Sequence, residues 1–260
     1  MKKRFFASIL AAGLGTWLAS AATPAAERPT YFALKVYHLK TNRQEAVIDS
    51  FLQRQYLPTL HAAGISTIGV FKPIGNDTAA DRRVYVFTPF TSLKQWEKID
   101  QETSAKLLAA GGSYENTAYT APVYTRQETI LLKAFDEMKS LAAPKLSTPK
   151  NERVYELRSY EGASEKIFRN KVRMFNAGGE IKLFDRLGFN GIFYSEVLFG
   201  PKMPNLMYMT SFANRAEREA HWKAFGADPE WKKLSSMPEY QNNVSHIDIT
   251  FLHPADYSDL

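Results

Sequence analysis

Read from Tyr31, the chain runs strand, long helix, two strands, helix, strand, and from Arg153 it runs through the same order again. A repeated plan constrains the fold more than any single motif, because each unit must bury its own apolar layer and then cover the face it leaves bare. The opening strands line up directly, Tyr31-Phe32-Ala33-Leu34-Lys35-Val36-Tyr37 against Val154-Tyr155-Glu156-Leu157-Arg158-Ser159-Tyr160. Both are short β-rich runs with a basic residue at the same place and a tyrosine two residues later. The first long helix opens at Thr41 with Gln44 three residues on, a capping-box pattern, and carries Ile48, Leu52, Tyr56 and Leu60 at a spacing of four before Gly64. The second starts near Ser164, is interrupted at Gly178-Gly179 and ends at Gly188. Strand pairs follow at 67–73 with 83–88 and at 191–198 with 206–212. Helices over 92–109 and 214–234 come next, and closing strands over 128–135 and 244–252.

This order predicts an α+β fold of two tandem ferredoxin-like βαββαβ repeats. Each would be a four-stranded antiparallel sheet with both helices on one face. The bare faces are expected to cover each other, sheet to sheet, as a pseudo-dimeric α/β barrel with a central cavity. Residues 30–140 form the first, divergent repeat and 153–256 the second. Residues 141–152, with Pro144 and Pro149, read as a linker.

Ahead of the repeats lies a segment with the three parts of a secretory leader. Lys2-Lys3-Arg4 is basic, Phe5 to Leu18 is uncharged and mostly apolar, and Ala19-Ser20-Ala21 offers small residues for cleavage. The apolar run is shorter than the roughly 20 residues of a spanning helix. Cleavage is therefore expected after Ala21, with 22–29 a disordered mature end and the protein periplasmic or secreted without a stable membrane anchor. Removing the leader leaves 30 of the 33 basic residues against 27 acidic ones. The remaining charge shows no Lys/Arg run suited to a phosphate backbone, and no nucleic-acid partner is expected. The absence of cysteine excludes disulfides, thiolate catalysis and cysteine-ligated zinc.

The second copy resembles a NIPSNAP domain. The likeness rests on Val154 to Tyr160, on the aromatic strand Leu206-Met207-Tyr208-Met209-Thr210-Ser211-Phe212, and on Asp228-Pro229-Glu230-Trp231 with Trp222 upstream. The first copy keeps Trp96 but lacks the Asp-Pro-Glu-Trp string. The resemblance implies the dimeric α/β-barrel superfamily, whose members include small monooxygenases, haem-degrading proteins and isomerases. NIPSNAP members themselves have no settled activity.

Strand alternation nominates the site. With Tyr155 and Leu157 turned to the helices, Glu156, Arg158 and Tyr160 face the opposite surface. With Ile247, Ile249 and Phe251 under the helices, His246, Asp248 and Thr250 face that surface too. First and last strands of such a repeat are neighbours, so an acid, a base and a fixed cation are expected to meet across the ladder. The same residues also suit a register-fixing polar seam with every charge paired. Tyr194, alternating with Ile192 and Glu196, is a candidate cavity residue or plain core. The matching first-copy positions, Lys35 and Tyr37, keep the cation and the phenol without the acid, which centres the expected site on the second copy.

The five histidines form no HxH or HExxH spacing, so no metal site is expected. A lone histidine carries no spacing signal for haem, which leaves that cofactor open and no other implied. No phosphate loop or nucleophile elbow is present. The reading favoured is a small, partly anionic organic ligand bound between the two halves. Arg158 would hold the anion, Tyr160 and Tyr194 the apolar part, and His246 with Asp248 would polarise it. The alternatives are a cofactor-free monooxygenase or isomerase using the same residues, and a ligand-free interaction module. A homodimer is compatible with this plan but not required by it.

Overall fold

In the computed structural model, residues 31–138, 141 and 143–260 are described; the expected leader and mature N-terminus lie outside them. Eight strands, all paired antiparallel, form one closed barrel. The first half supplies β1 (Tyr31–Leu39), β2 (Gly69–Pro73), β3 (Arg82–Phe90) and β4 (Arg126–Ala134). The second supplies β5 (Val154–Glu161), β6 (Asn190–Phe199), β7 (Asn205–Phe212) and β8 (His246–Pro254). Around the ring the order is β4-β1-β3-β2-β8-β5-β7-β6, returning to β4. Each half thus runs last, first, third, second, and the halves join edge to edge. At one seam Phe71 to Pro73 of β2 pair with Pro254 to Leu252 of β8. At the other, β4 pairs with β6 across a bulge at Leu131/Leu132. Among the described strands the ring closes on itself, so each has a paired neighbour on both sides.

Helices pack outside the barrel. In the first half α1 (Asn42–Phe51) passes through a π-helical segment, Leu52–Tyr56, into α2 (Leu57–Ala62), and α3 (Leu93–Ala110) follows β3. The Thr41 hydroxyl caps α1 by accepting from Gln44 N–H at 3.2 Å, while the Gln44 side-chain Oε1 accepts from Lys40 N–H at 2.7 Å. Pro58 has no N–H to donate to the Arg54 carbonyl, a local reason for the ladder to widen to π spacing here. In the second half α4 (Glu165–Phe175) and α5 (Glu180–Arg186) are separated at the expected glycine pair, where Gly179 takes φ 89°. Likewise α6 (Arg215–Ala227) gives way to α7 (Pro229–Ser236), whose first amides, Glu230 and Trp231, donate to the Asp228 carboxylate at 2.9 and 3.2 Å. Among the described residues no helix is long and apolar enough to cross a membrane.

The barrel centre is solid. Phe87 of the first half stacks on Phe32 at a centroid separation of 4.9 Å and on Phe193 of the second half at 4.6 Å, and Phe71 meets Tyr155 at 4.8 Å. All five rings are buried. The expected central cavity is therefore closed at mid-barrel, because both halves send aromatic side chains inward. What stays open is the mouth, a chamber of about 400 Å³ with apolar walls including Leu34, Ile130, Leu157 and Met207. Its polar lining comes from His38, Arg83 and Glu128 of one half and Lys202, Asn205 and Asp248 of the other.

Candidate functional site

Directly opposed residues of an antiparallel pair share a face. In the β5–β8 ladder Arg158 opposes Ile249 and Glu156 opposes Phe251, whereas Ser159 opposes Asp248 and Glu161 opposes His246. His246 and Asp248 do face the barrel, as expected. Glu156, Arg158 and Tyr160 do not; they lie beneath the helices, so the expected cluster is divided between two faces. The alternation misleads because β5 is covered on both sides. Its more apolar face (Tyr155, Leu157) serves the barrel core, and its polar face is neutralised by α6.

That neutralisation is complete. Glu156 is fully buried. One carboxylate oxygen accepts from Arg158 Nε (2.6 Å) and Arg218 Nη2 (2.7 Å), the other from Arg218 Nε and Trp222 Nε1 (both 2.8 Å). The Arg158 guanidinium lies 3.9 Å from the Trp222 ring centroid and donates to the Tyr160 hydroxyl at 2.7 Å, which in turn shares a hydrogen bond with Tyr208. Burial pushes the Glu156 carboxyl up, but the hydrogen bond from Arg218, the charge of Arg158 and the Trp222 indole outweigh it and hold it below the usual value. No acceptor site on Glu156 is left for a ligand. Tyr194 is also on the helix side, packed on Phe175 and Phe184, and its hydroxyl is buried without a partner. Burial first, with Asp185 and Glu180 nearby, raises its phenol well above the ordinary range.

The other two candidates sit at the mouth rim. His246 Nε2 is 3.2 Å from Asp248 Oδ1, and Lys202 bonds the second oxygen of Asp248. That Lys202 contact holds the Asp248 carboxyl below its usual value. Ile247 and Ile249, expected beneath helices, are exposed instead, and Phe251 is covered by the Arg215 guanidinium at 3.7 Å from its ring.

The first half tells a different story at the same positions. Phe90 pairs with Tyr31 as Phe212 pairs with Val154, and the helix caps Ser92 and Asn214 each follow two residues later. This register matches Ala33 with Glu156, Lys35 with Arg158, Val86 with Tyr208, and, on the helices, Trp96 with Arg218, Asp100 with Trp222 and Thr103 with Phe225. Glu156, Arg158, Tyr208, Trp222 and Phe225 of the second half are each matched by a smaller residue in the first, while Tyr160 is matched by Tyr37 and Arg218 by the larger Trp96. The result is a cavity of about 450 Å³ between the first half's sheet and its helices. Lys35, Tyr37, Tyr56, Trp96, Tyr114 and Tyr124 line it. The Lys35 ammonium lies 5.0 Å from the Tyr56 ring centroid; among the described residues it has no hydrogen bond or ion pair. Thr103, also on the wall, is buried with its hydroxyl unpartnered. Burial, then the neighbouring tyrosines, raises the Tyr37 phenol well above 10.0, so it stays a hydrogen-bond donor at neutral pH.

Sequence reasoning named Lys35 and Tyr37 but centred its expected site on the second half, where Glu156, Arg158 and Tyr160 are bonded to one another and to α6. Trp96 was noticed only as a family trait, and Thr103, Tyr114 and Tyr124 were missed. The signal was available: the second half's bulky, polar-bonded set has small counterparts in the first, visible once the two helix caps are aligned.

Comparison with known proteins fits this architecture. Three solved structures share it over most of both chains. A candidate monooxygenase from Lactobacillus acidophilus is 13% identical, covering 87% of this chain and 94% of its own, with a TM-score of 0.54. Another from Fusobacterium nucleatum is 6% identical, covering 87% and 93%, with a TM-score of 0.58. An anthrone oxidase-like protein is 11% identical over 88% of this chain and 92% of its own, with a TM-score of 0.50. At such identities the likeness is one of fold. No curated protein matches by sequence. The family model that matches falls on the second half, the half with the filled interior: residues 155–259 are similar to the NIPSNAP family.

Proposed function

We propose that the chain binds one small, partly anionic organic molecule with a planar apolar body, in the cavity of the first half. The observation that carries this is Lys35, a half-buried ammonium without a partner on the wall of an aromatic cavity. A cation in that setting attracts a carboxylate, phenolate or enolate, while the rings of Tyr37, Tyr56 and Trp96 take the flat remainder. The chamber between the halves, where the sequence suggested a ligand, holds its cations differently: Arg83 is paired with Asp81 and Lys202 with Asp248. Duplication of one ferredoxin-like unit, followed by hollowing of the first copy, accounts for the matched register. We also read residues 1–21 as an export leader, which N-terminal sequencing of the exported protein tests by its start at Ala22.

Native mass spectrometry of protein purified from its own host should show a retained small molecule. The identified compound should stabilise wild type in a thermal-shift assay, by about 2.7 kcal/mol at a hundredfold excess over Kd, and leave Lys35→Ala unmoved. Equal stabilisation of Lys35→Ala sinks the reading. A second reading, conversion of the bound molecule, is favoured by Asp100 and Glu115 on the same cavity wall, which add carboxylate bases to the cation. Oxygenation is the reaction to assay first, since two of the fold relatives carry that name. Product formation that survives Asp100→Asn and Glu115→Gln together would remove those bases from the chemistry.

A further inference from the structure

At one corner of the barrel mouth, the last residue of β5 and the first of β8 are direct cross-strand partners, Glu161 and His246. Asp248 follows two residues along β8 and so returns to the same face. One donor atom from each of the three lies within 4.8 Å of the other two. The sheet ladder itself sets this spacing, and ladders are among the stiffest supports a site can have.

Two further observations bear on the corner. A positive charge is already held there: the Lys202 ammonium bonds Asp248, delivered by a turn in which Lys202 adopts φ 64°, unusual for a residue with a side chain. Glu161, meanwhile, has no side-chain hydrogen bond or ion pair among the described residues, so one carboxylate of the trio is unspent. Asp248 and Lys202 also line the 400 Å³ mouth chamber, which leaves one side of the corner open.

We infer that Glu161, His246 and Asp248 form a binding site for a divalent transition-metal ion, with Lys202 as the built-in competitor that holds its place when the metal is absent. One imidazole and two carboxylates suit the ions from manganese to zinc better than calcium, which prefers an all-oxygen cage. Three protein donors and an open side leave room for water or for an anionic group lodged in the mouth. The site is separate from the first-half cavity, so neither proposal stands on the other.

The test is titration of chelator-treated full-length protein with cobalt(II), followed by its visible ligand-field bands, and with zinc by calorimetry. Wild type should bind one equivalent of cobalt. Even partners one step removed from a metal typically account for about 10–100-fold in affinity, so His246→Ala and Glu161→Gln should each weaken binding by at least about tenfold. Lys202→Gln should tighten it, an effect that a merely structural lysine would not produce. These side chains are at least partly exposed, and circular dichroism melts should show all variants folded. The proposal is overturned by three results: no binding below millimolar metal in either wild type or Lys202→Gln, binding unchanged by His246→Ala, or binding lost instead in His38→Ala, which would place the ion at the His38–Asp81 pair across the mouth.

Discussion

Glu156 is the residue whose surroundings most repay attention, because a buried carboxylate with every acceptor site filled is costly to disturb. Glu156→Ala should destabilise the protein by about 3–5 kcal/mol, since it leaves Arg158 with no counter-charge and Arg218 with only the exposed Glu219. Chemical denaturation at neutral pH measures this. The pH dependence has a definite sign. The folded-state carboxyl is held below its ordinary value of 4.5, so its stabilising contribution is complete above that value and is lost as pH falls through the lower folded one. Wild type should therefore lose stability in acid more steeply than Glu156→Gln, which starts lower at neutral pH and gives a flatter profile. Parallel slopes between pH 6 and 3 would contradict the network described here. Lys35 is the opposite case, a charge the fold leaves unanswered, and its substitution is expected to cost binding rather than stability.

Helix α3 and helix α6 occupy equivalent places, and the difference between a hollow and a filled half is written on their inner faces. Thr103→Phe copies the second half's residue into the first. It should fill part of the cavity, abolish ligand-induced stabilisation, and leave the melting temperature of the ligand-free protein within a few degrees of wild type or above it. Retained ligand binding in a folded Thr103→Phe protein would place the ligand elsewhere. At this scale much was legible beforehand. Element order, the Thr41 cap and the break at Gly178-Gly179 follow from local chemistry that acts within one turn. The facing of β5 was not legible, because a strand covered on both sides carries no reliable apolar alternation, and Val154-Tyr155-Glu156-Leu157-Arg158 reads as amphipathic with the wrong side inward. The cavity was hidden for a related reason. It is a difference between two halves, and neither Ala33 nor Thr103 signals anything until its partner in the other half is known.

As a whole molecule, the barrel is closed by two seams of short pairing, and the C-terminal tail reinforces one of them. Tyr257 donates to Asp49 at 2.6 Å, Ser258 Oγ accepts from Val70 N–H at 2.9 Å, and the Asp259 carboxylate accepts from Ile68 N–H at 2.7 Å. Leu260 is buried. Deleting residues 257–260 should cost at least the about 2–5 kcal/mol typical of removing one large buried aliphatic side chain. Urea denaturation should show a lower midpoint, and an unchanged one would mean the tail is only laid on the surface. The joining of both halves in one chain has a consequence beyond stability. A barrel assembled from two identical subunits obeys a two-fold axis and must offer two equal pockets or none. Here the covalent fusion releases that symmetry, so one half can keep the rigid charge network while the other is free to diverge, and the 450 Å³ hollow between sheet and helices belongs to the first half without a matching one at the Glu156 network.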